Sequence, residues 1–193
     1  MSFAVNRFPV AIKAASKDLA HKTDFEAIHL DIRTVSEFET KIYELRDAIT
    51  KKTGITSPDL LIQEMIEGKA EIFIGANREG NRNIYEKDGN GFGHLLAIGQ
   101  GGIYTEVYKD IEHVLLPSNR DDMKLALNRT KISKIIDGYR GKTKLPEDKL
   151  LDMLENIQRM LISYPQIVSL DINPVILTVD RAVAVDIKIY VLN

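Results

Sequence analysis

The stretch DINPVILTVDRAVAVDIK, residues 171–188, decides how the chain is read. Two β-branched runs of alternating character flank Val179-Asp180-Arg181, the polar break between them, and this predicts a β-hairpin. With Val179 and Asp180 as a two-residue loop, Thr178 faces Arg181, Asn173 faces Asp186 and Asp171 faces Lys188. Facing residues share one side of the ribbon, with Cβ atoms about 4.5–5.5 Å apart. An amide oxygen and a carboxylate then converge on one point. That suits a hard cation such as Mg²⁺, which takes oxygen ligands and commonly uses one or two carboxylates together with substrate phosphates. The same spacing also fits a plain polar face on a two-stranded ribbon, with Asp171 and Lys188 as a cross-strand ion pair.

Composition narrows the function classes. A chain of 193 residues with 44% hydrophobic content can bury a core as one domain or two small lobes. A net charge of −2 and a pI near 6.1 provide no electrostatic footprint for nucleic acid or an anionic membrane surface, so small molecules or proteins are the expected partners. The absence of cysteine excludes disulfides, thiolate nucleophiles and cysteine zinc sites. With no long apolar run and no signal-peptide pattern, the cytoplasm is the expected compartment. The histidines, His21, His29, His94 and His113, show no metal-ligand spacing.

Along the chain, FPVAIKA (8–14) and AIHLDI (27–32) read as strands of a hairpin whose long polar loop carries His21, and Lys13 either snorkels or projects into a cleft. Thr34 to Glu37 forms a capping box, after which Val35, Phe38, Ile42, Leu45 and Ile49 mark one apolar helix face ending near Gly54. LLIQEMI (60–66) and AEIFIGAN (70–77) read as strands joined by a tight turn at Glu67-Gly68-Lys69, with glycine supplying positive φ. Residues 80–93 are expected to form a mobile loop. Gly99-Gln100-Gly101-Gly102 follows a strand and can present successive N–H groups to a phosphate, although a plain tight turn is the better reading of the residues alone. Val107 to Leu116 suggests two short strands around Lys109-Asp110. A helical region opens at Asn119 and breaks at 138–141, and a further helix starts at Pro146 with Leu150, Leu154, Ile157 and Leu161 as its buried stripe. Strands, helix, strands, helices and hairpin in that order predict an α+β fold with antiparallel sheets covered by helices.

The ordered series FPVAIK, HKTD, LLIQEMI followed by EIFIG, FGHLLAIGQGGIYTEV, DGYRG, SLDINPVIL and AVAVDIKI resembles the ATP-grasp domain of the ADP-forming acyl-CoA synthetases, β-subunit type, which are related to succinyl-CoA synthetase β chains. The match covers nearly the whole chain. The resemblance implies residues 1–65 as a partial N-terminal lobe and 66–193 as the C-terminal lobe. It also implies ATP or ADP with Mg²⁺ as ligands and an α-type CoA-binding subunit as partner, which would supply the ligase histidine. By the same resemblance, Lys13 contacts nucleotide phosphates, Gln63, Glu64, Met65 and Ile66 hold adenine and ribose, and Asn173 with Asp186 holds Mg²⁺; the phosphate-nest reading adds Gly101 and Gly102 as nucleotide-binding residues. His21, in the family's H-K-[ST]-D loop, looks like the carrier of the phosphoryl group. Neutral imidazole is nucleophilic near pH 7, and Lys22 would offset phosphate charge.

Three departures stand against the family pattern. Glu26-Ala27 replaces a glycine pair, and a carboxylate there repels nucleotide. Val114 replaces an arginine, and losing a cation that stabilises phosphoryl charge can lower a rate by several powers of ten. The first strand also starts close to Met1, where the family has a helix and a strand before it, so the N-terminal lobe reads as truncated or as completed by another chain. The expected function is the nucleotide-binding subunit of an ADP-forming acyl-CoA synthetase. The alternative is a non-catalytic ATP-grasp relative with an assembly or regulatory role.

Overall fold

The computed structural model of the chain describes residues 8–15, 28–79 and 92–192, and the chain folds as two compact units, Met1–Met65 and Ile66–Asn193. The His21 loop and most of the glycine-rich stretch 80–93 lie outside the described residues. No helix among the described residues is long and apolar enough to cross a membrane.

In the first unit, β1 (Val10–Ala14) runs between two antiparallel neighbours, β2 (Ile28–Ile32) and β3 (Leu60–Glu64). Alternation along β1 sends Val10, Ile12 and Ala14 to one face, where they are buried together with residues of α1 (Val35–Thr53). The helix starts at a reciprocal cap. Thr34 Oγ1 accepts from the N–H of Glu37 at 3.2 Å, and the Glu37 carboxylate accepts from the N–H of Arg33 at 2.9 Å. Phe38, Ile42, Leu45 and Ile49 form the buried stripe as predicted. Val35 does not join them and is 59% exposed. It opens the helix, and helical Cβ atoms tilt toward the N-terminus, so its side chain overhangs the end of the packed face.

The expected hairpin between residues 60–66 and 70–77 does not form. β3 pairs with β1, whereas β4 (Ala70–Glu79) pairs in the second unit with β5 (Gly93–Gln100) on one side and β7 (Ile167–Leu177) on the other. Both edges of β4 are thus occupied by long partners, which outweighs a local turn. Gly68 is not among the positive-φ residues and serves close approach instead, since a Cβ there would lie 1.9 Å from Ile176 Cγ2.

The second unit is built on an antiparallel sheet of order β6-β5-β4-β7-β8, in which β9 also pairs with β7. Here β6 is Ile111–Leu116, β8 is Ala182–Ala184 and β9 is Ile187–Val191. Ile72, Ile74, Leu96, Ile98, Leu170 and Ile172 point to one face and are buried in the same core as the inner residues of α3 (Arg120–Arg129), α4 (Ile132–Ile136) and α5 (Glu147–Ser163). Leu150, Leu154, Ile157 and Leu161 make the stripe of α5, as their spacing predicts. At the start of α4 the buried Asp110 carboxylate accepts from the N–H groups of Lys131 at 2.7 Å and Ile132 at 3.0 Å, satisfying two donors the helix leaves open. Val107, expected in a strand, lies instead in the one-turn helix α2 (Thr105–Tyr108). Antiparallel pairing of β5 with β6 begins only at Gly99 and Ile111, so the residues between them must reverse the chain. The architecture is α+β, with antiparallel sheets covered by helices.

Candidate functional site

The register read from the sequence is the register of the hairpin. Leu177 faces Ala182, Val175 faces Ala184 and Asp171 faces Lys188. The N–H of Thr178 donates to the carbonyl of Arg181 at 2.9 Å to close the turn, and the N–H of Asn173 donates to the carbonyl of Asp186 at 3.1 Å. The pairing with β4 adds a feature that the hairpin alone does not contain. Ile72 faces Val175 while Ile74 faces Ile172, so Asn173 and Pro174 together oppose Phe73 in a β-bulge. Bulges re-aim side chains. Ile172 and Val175 are both buried in the helix-covered core, and Asn173 emerges on the opposite face beside Asp171.

That open face concentrates oxygen atoms. Asn173 Oδ1 accepts from the N–H of Gly102 at 2.8 Å. The N–H of Gly101 donates to the carbonyl of Glu71 at 2.8 Å, and Glu71 Oε2 lies only 2.1 Å from where a Cβ on Gly102 would sit. Both glycine N–H groups are therefore held by protein oxygens, and the row of free amides that defines an anion nest is not formed. Asp171 Oδ1 is buried without a hydrogen-bond partner among the described residues, so the expected ion pair with Lys188 does not satisfy it. Burial raises the pKa of the Asp171 carboxyl above the usual carboxylate range, Lys188 pulls it back, and the charge of Asp186 pushes it up again. The Asn173 amide oxygen and the unsatisfied Asp171 oxygen lie two residues apart on this strand, with Asp186 paired opposite Asn173, and oxygens of this kind are the ligands a hard divalent cation takes. No group of three His, Asp or Glu side chains converges among the described residues.

The first unit positions the remaining predicted residues. Lys13 is 6% exposed on β1, opposite Leu61, and Ala11 is opposite Gln63. Lys13 and Gln63 thus share the face turned away from α1 as diagonal neighbours, at the roughly 7–8 Å usual for that relation. Glu64 faces Val10 and so lies on the other side of the sheet, which means the strand does not present Gln63 and Glu64 together. The N–H of Met65 donates to the carbonyl of Pro9 at 3.1 Å, and Ile66 is half-buried at the start of the second unit. His21, Lys22, Glu26 and Ala27 are outside the described residues. Val114 is buried in the helix-covered core alongside Leu96 and Leu116. The departure at this position therefore takes no charge from the face that carries Asn173. Sequence reading missed Glu71 as a member of the constellation and took Asp171 for an ion-pair partner. The Glu71 contact depends on the pairing of β4 with β5, which sets Ile72 opposite Gln100 and so brings Glu71 beside Gly102, and no local spacing encodes that.

Comparison with known proteins places these features. The sequence pattern of the ATP-grasp domain matches residues 3–191. Acetate–CoA ligase [ADP-forming] II subunit beta of Pyrococcus furiosus is 27% identical over 186 residues, covering 94% of this chain and 75% of that one. Acetate–CoA ligase [ADP-forming] I of Archaeoglobus fulgidus is 25% identical over 169 residues, and there the chain spans only 23% of the relative's length. Among solved structures, the dinucleotide-forming acetyl-coenzyme A synthetase 1 of Ca. Korarchaeum cryptofilum, in complex with coenzyme A and Ca-AMPCP, superimposes with a TM-score of 0.83 at 24% identity, over 96% of this chain and 77% of that one. The ordered motifs, the hairpin register and the match over nearly the full length agree: the chain belongs to the ATP-grasp domain family.

Proposed function

We propose that this chain is the nucleotide-binding part of an ADP-forming acyl-CoA synthetase, which moves a phosphoryl group between a phosphohistidine and ADP with the help of Mg²⁺. The observation that carries the reading is the placement of Asn173 Oδ1 opposite Asp186 on the open face of the sheet, with an unsatisfied Asp171 oxygen beside them. Asn173 and Asp186 would hold Mg²⁺, and bound there the ion would neutralise phosphate charge as it develops. Lys13 neutralises phosphate oxygens, Gln63 to Ile66 contact adenine and ribose, Gly101 and Gly102 lie at the nucleotide, and His21 accepts the phosphoryl group. The relation to separate β subunits supports an α-type CoA-binding partner.

Thermal unfolding with and without Mg·ADP tests the proposal. Ligand at a hundredfold excess over Kd should add about 2.7 kcal/mol of stability. An unchanged melting temperature at millimolar Mg·ADP would overturn the reading and leave the fold to the assembly or regulatory role.

A further inference from the structure

We propose that Gly102 is a positioning residue for the cation site, its peptide N–H fixing which atom of the Asn173 amide faces the metal. The inference rests on the reading of Asn173 and Asp186 as cation ligands. An asparagine side chain can turn its amide by a half-rotation and present a nitrogen donor in place of an oxygen acceptor. A backbone N–H can only donate, so the 2.8 Å contact from Gly102 settles the question locally: Oδ1 is the atom held at that side, with a second lone pair left for the cation.

The Gly102 peptide is itself clamped on both sides. Its carbonyl accepts from Thr105 Oγ1 at 2.6 Å and from the N–H of Thr105 at 3.3 Å, while the preceding N–H, on Gly101, is bound to the carbonyl of Glu71 at 2.8 Å. Position 102 favours glycine through its backbone, and a side chain there would also have to move Glu71 aside. The φ of +86° at Gly102 is one that L side chains rarely adopt, and a Cβ would lie 2.1 Å from Glu71 Oε2. A methyl group there pushes the end of the flexible Glu71 side chain aside and drives the backbone away from φ +86°. The rotation of the peptide takes the N–H off Asn173 and lets its amide turn.

The arrangement matches the general rule that outer-shell partners orient ligands, and that removing one weakens metal binding roughly tenfold to a hundredfold. The probe is Mn²⁺ standing in for Mg²⁺, titrated calorimetrically against the full chain and its variants in the absence of nucleotide. Gly102→Ala is expected to bind Mn²⁺ at least about tenfold more weakly. A second measurement does not depend on that variant folding. Amide exchange followed by NMR should show the Gly102 N–H protected in the wild type, protected in Asn173→Asp, which keeps an acceptor oxygen, and unprotected in Asn173→Ala. Wild-type Mn²⁺ affinity in Gly102→Ala, or equal Gly102 exchange in the wild type and Asn173→Ala, overturns the positioning role alone. A wild-type chain that binds no Mn²⁺ at all overturns both the positioning role and the cation site on which it rests.

Discussion

The N–H of Asn173 donates to the carbonyl of Asp186 at 3.1 Å, and this one main-chain bond places an amide and a carboxylate on the same side of the ribbon. The bond belongs to the backbone, so the Asp186 side chain takes no part in holding the pair together. Asp186→Ala is therefore expected to melt close to the wild type without ligand and to lose the stabilisation by Mg·ADP, with affinity reduced at least about tenfold, the lower range for even an outer-shell partner. Melting curves of both proteins at several Mg·ADP concentrations check this. If Asp186→Ala unfolds the chain, the carboxylate is structural and the cation site is misassigned.

Asp171 should show the opposite trade. Its buried Oδ1 has no hydrogen-bond partner among the described residues, and burial and the neighbouring Asp186 both disfavour its charge. Because the folded-state pKa lies above the unfolded one, the ionised form opposes folding at neutral pH. Asp171→Asn removes that charge at nearly constant shape. A gain of about 1 kcal/mol is expected, the low end of the range for an unsatisfied buried group because the side chain is only half-buried, or roughly 2–4 °C in Tm for a chain of this size. Scanning calorimetry at pH 7 without metal should show it, and a lower Tm would mean that the carboxylate has a partner in solution.

His94 gives the fold an acid sensitivity. It is 1% exposed, with Nε2 at 3.0 Å from the carbonyl of Ile167, a contact in which the ring nitrogen donates. Burial lowers its pKa, the bond to Ile167 opposes that shift, and the charge of Arg78 adds to it. The unfolded chain takes up a proton near pH 6.5 that the folded chain resists. Stability contributed here is thus complete above about pH 6.5 and falls as the pH drops toward the folded-state value. Urea midpoints between pH 7 and pH 5 should decline more steeply for the wild type than for His94→Gln, and parallel slopes would remove His94 as the cause.

Asp110 tests the helix layer. Its carboxylate serves two N–H groups at the start of α4, so Asp110→Ala leaves both without an acceptor. A loss of about 2 kcal/mol in chemical denaturation is expected, the upper end for a helix cap, with Asp110→Asn in between because it keeps one acceptor oxygen. An alanine variant as stable as the wild type would show that water replaces the carboxylate at this cap.

Much of this protein is legible in its residues. The helix from Val35 to Thr53, the stripe of α5 and the hairpin register from Asp171 to Lys188 follow from local periodicity, caps and turn length, because each is decided by neighbours a few residues away. The ordered motifs likewise point to the ATP-grasp family on their own. Tertiary structure decided the rest. Strand pairing overrode the apparent turn at Glu67-Gly68-Lys69 because β4 gains two long partners, the next strand β5 and the sequence-distant β7. The bulge opposite Phe73, which turns Asn173 out of the core, exists only in the pairing between β4 and β7. Val114 reads as a lost catalytic charge until the sheet shows which face it occupies. The contact of Gly102 with Asn173 and Glu71 joins the end of β5, the start of β4 and the bulge within β7, which no spacing brings together, since a main-chain N–H has no sequence signature and its direction is set only once the sheet has closed.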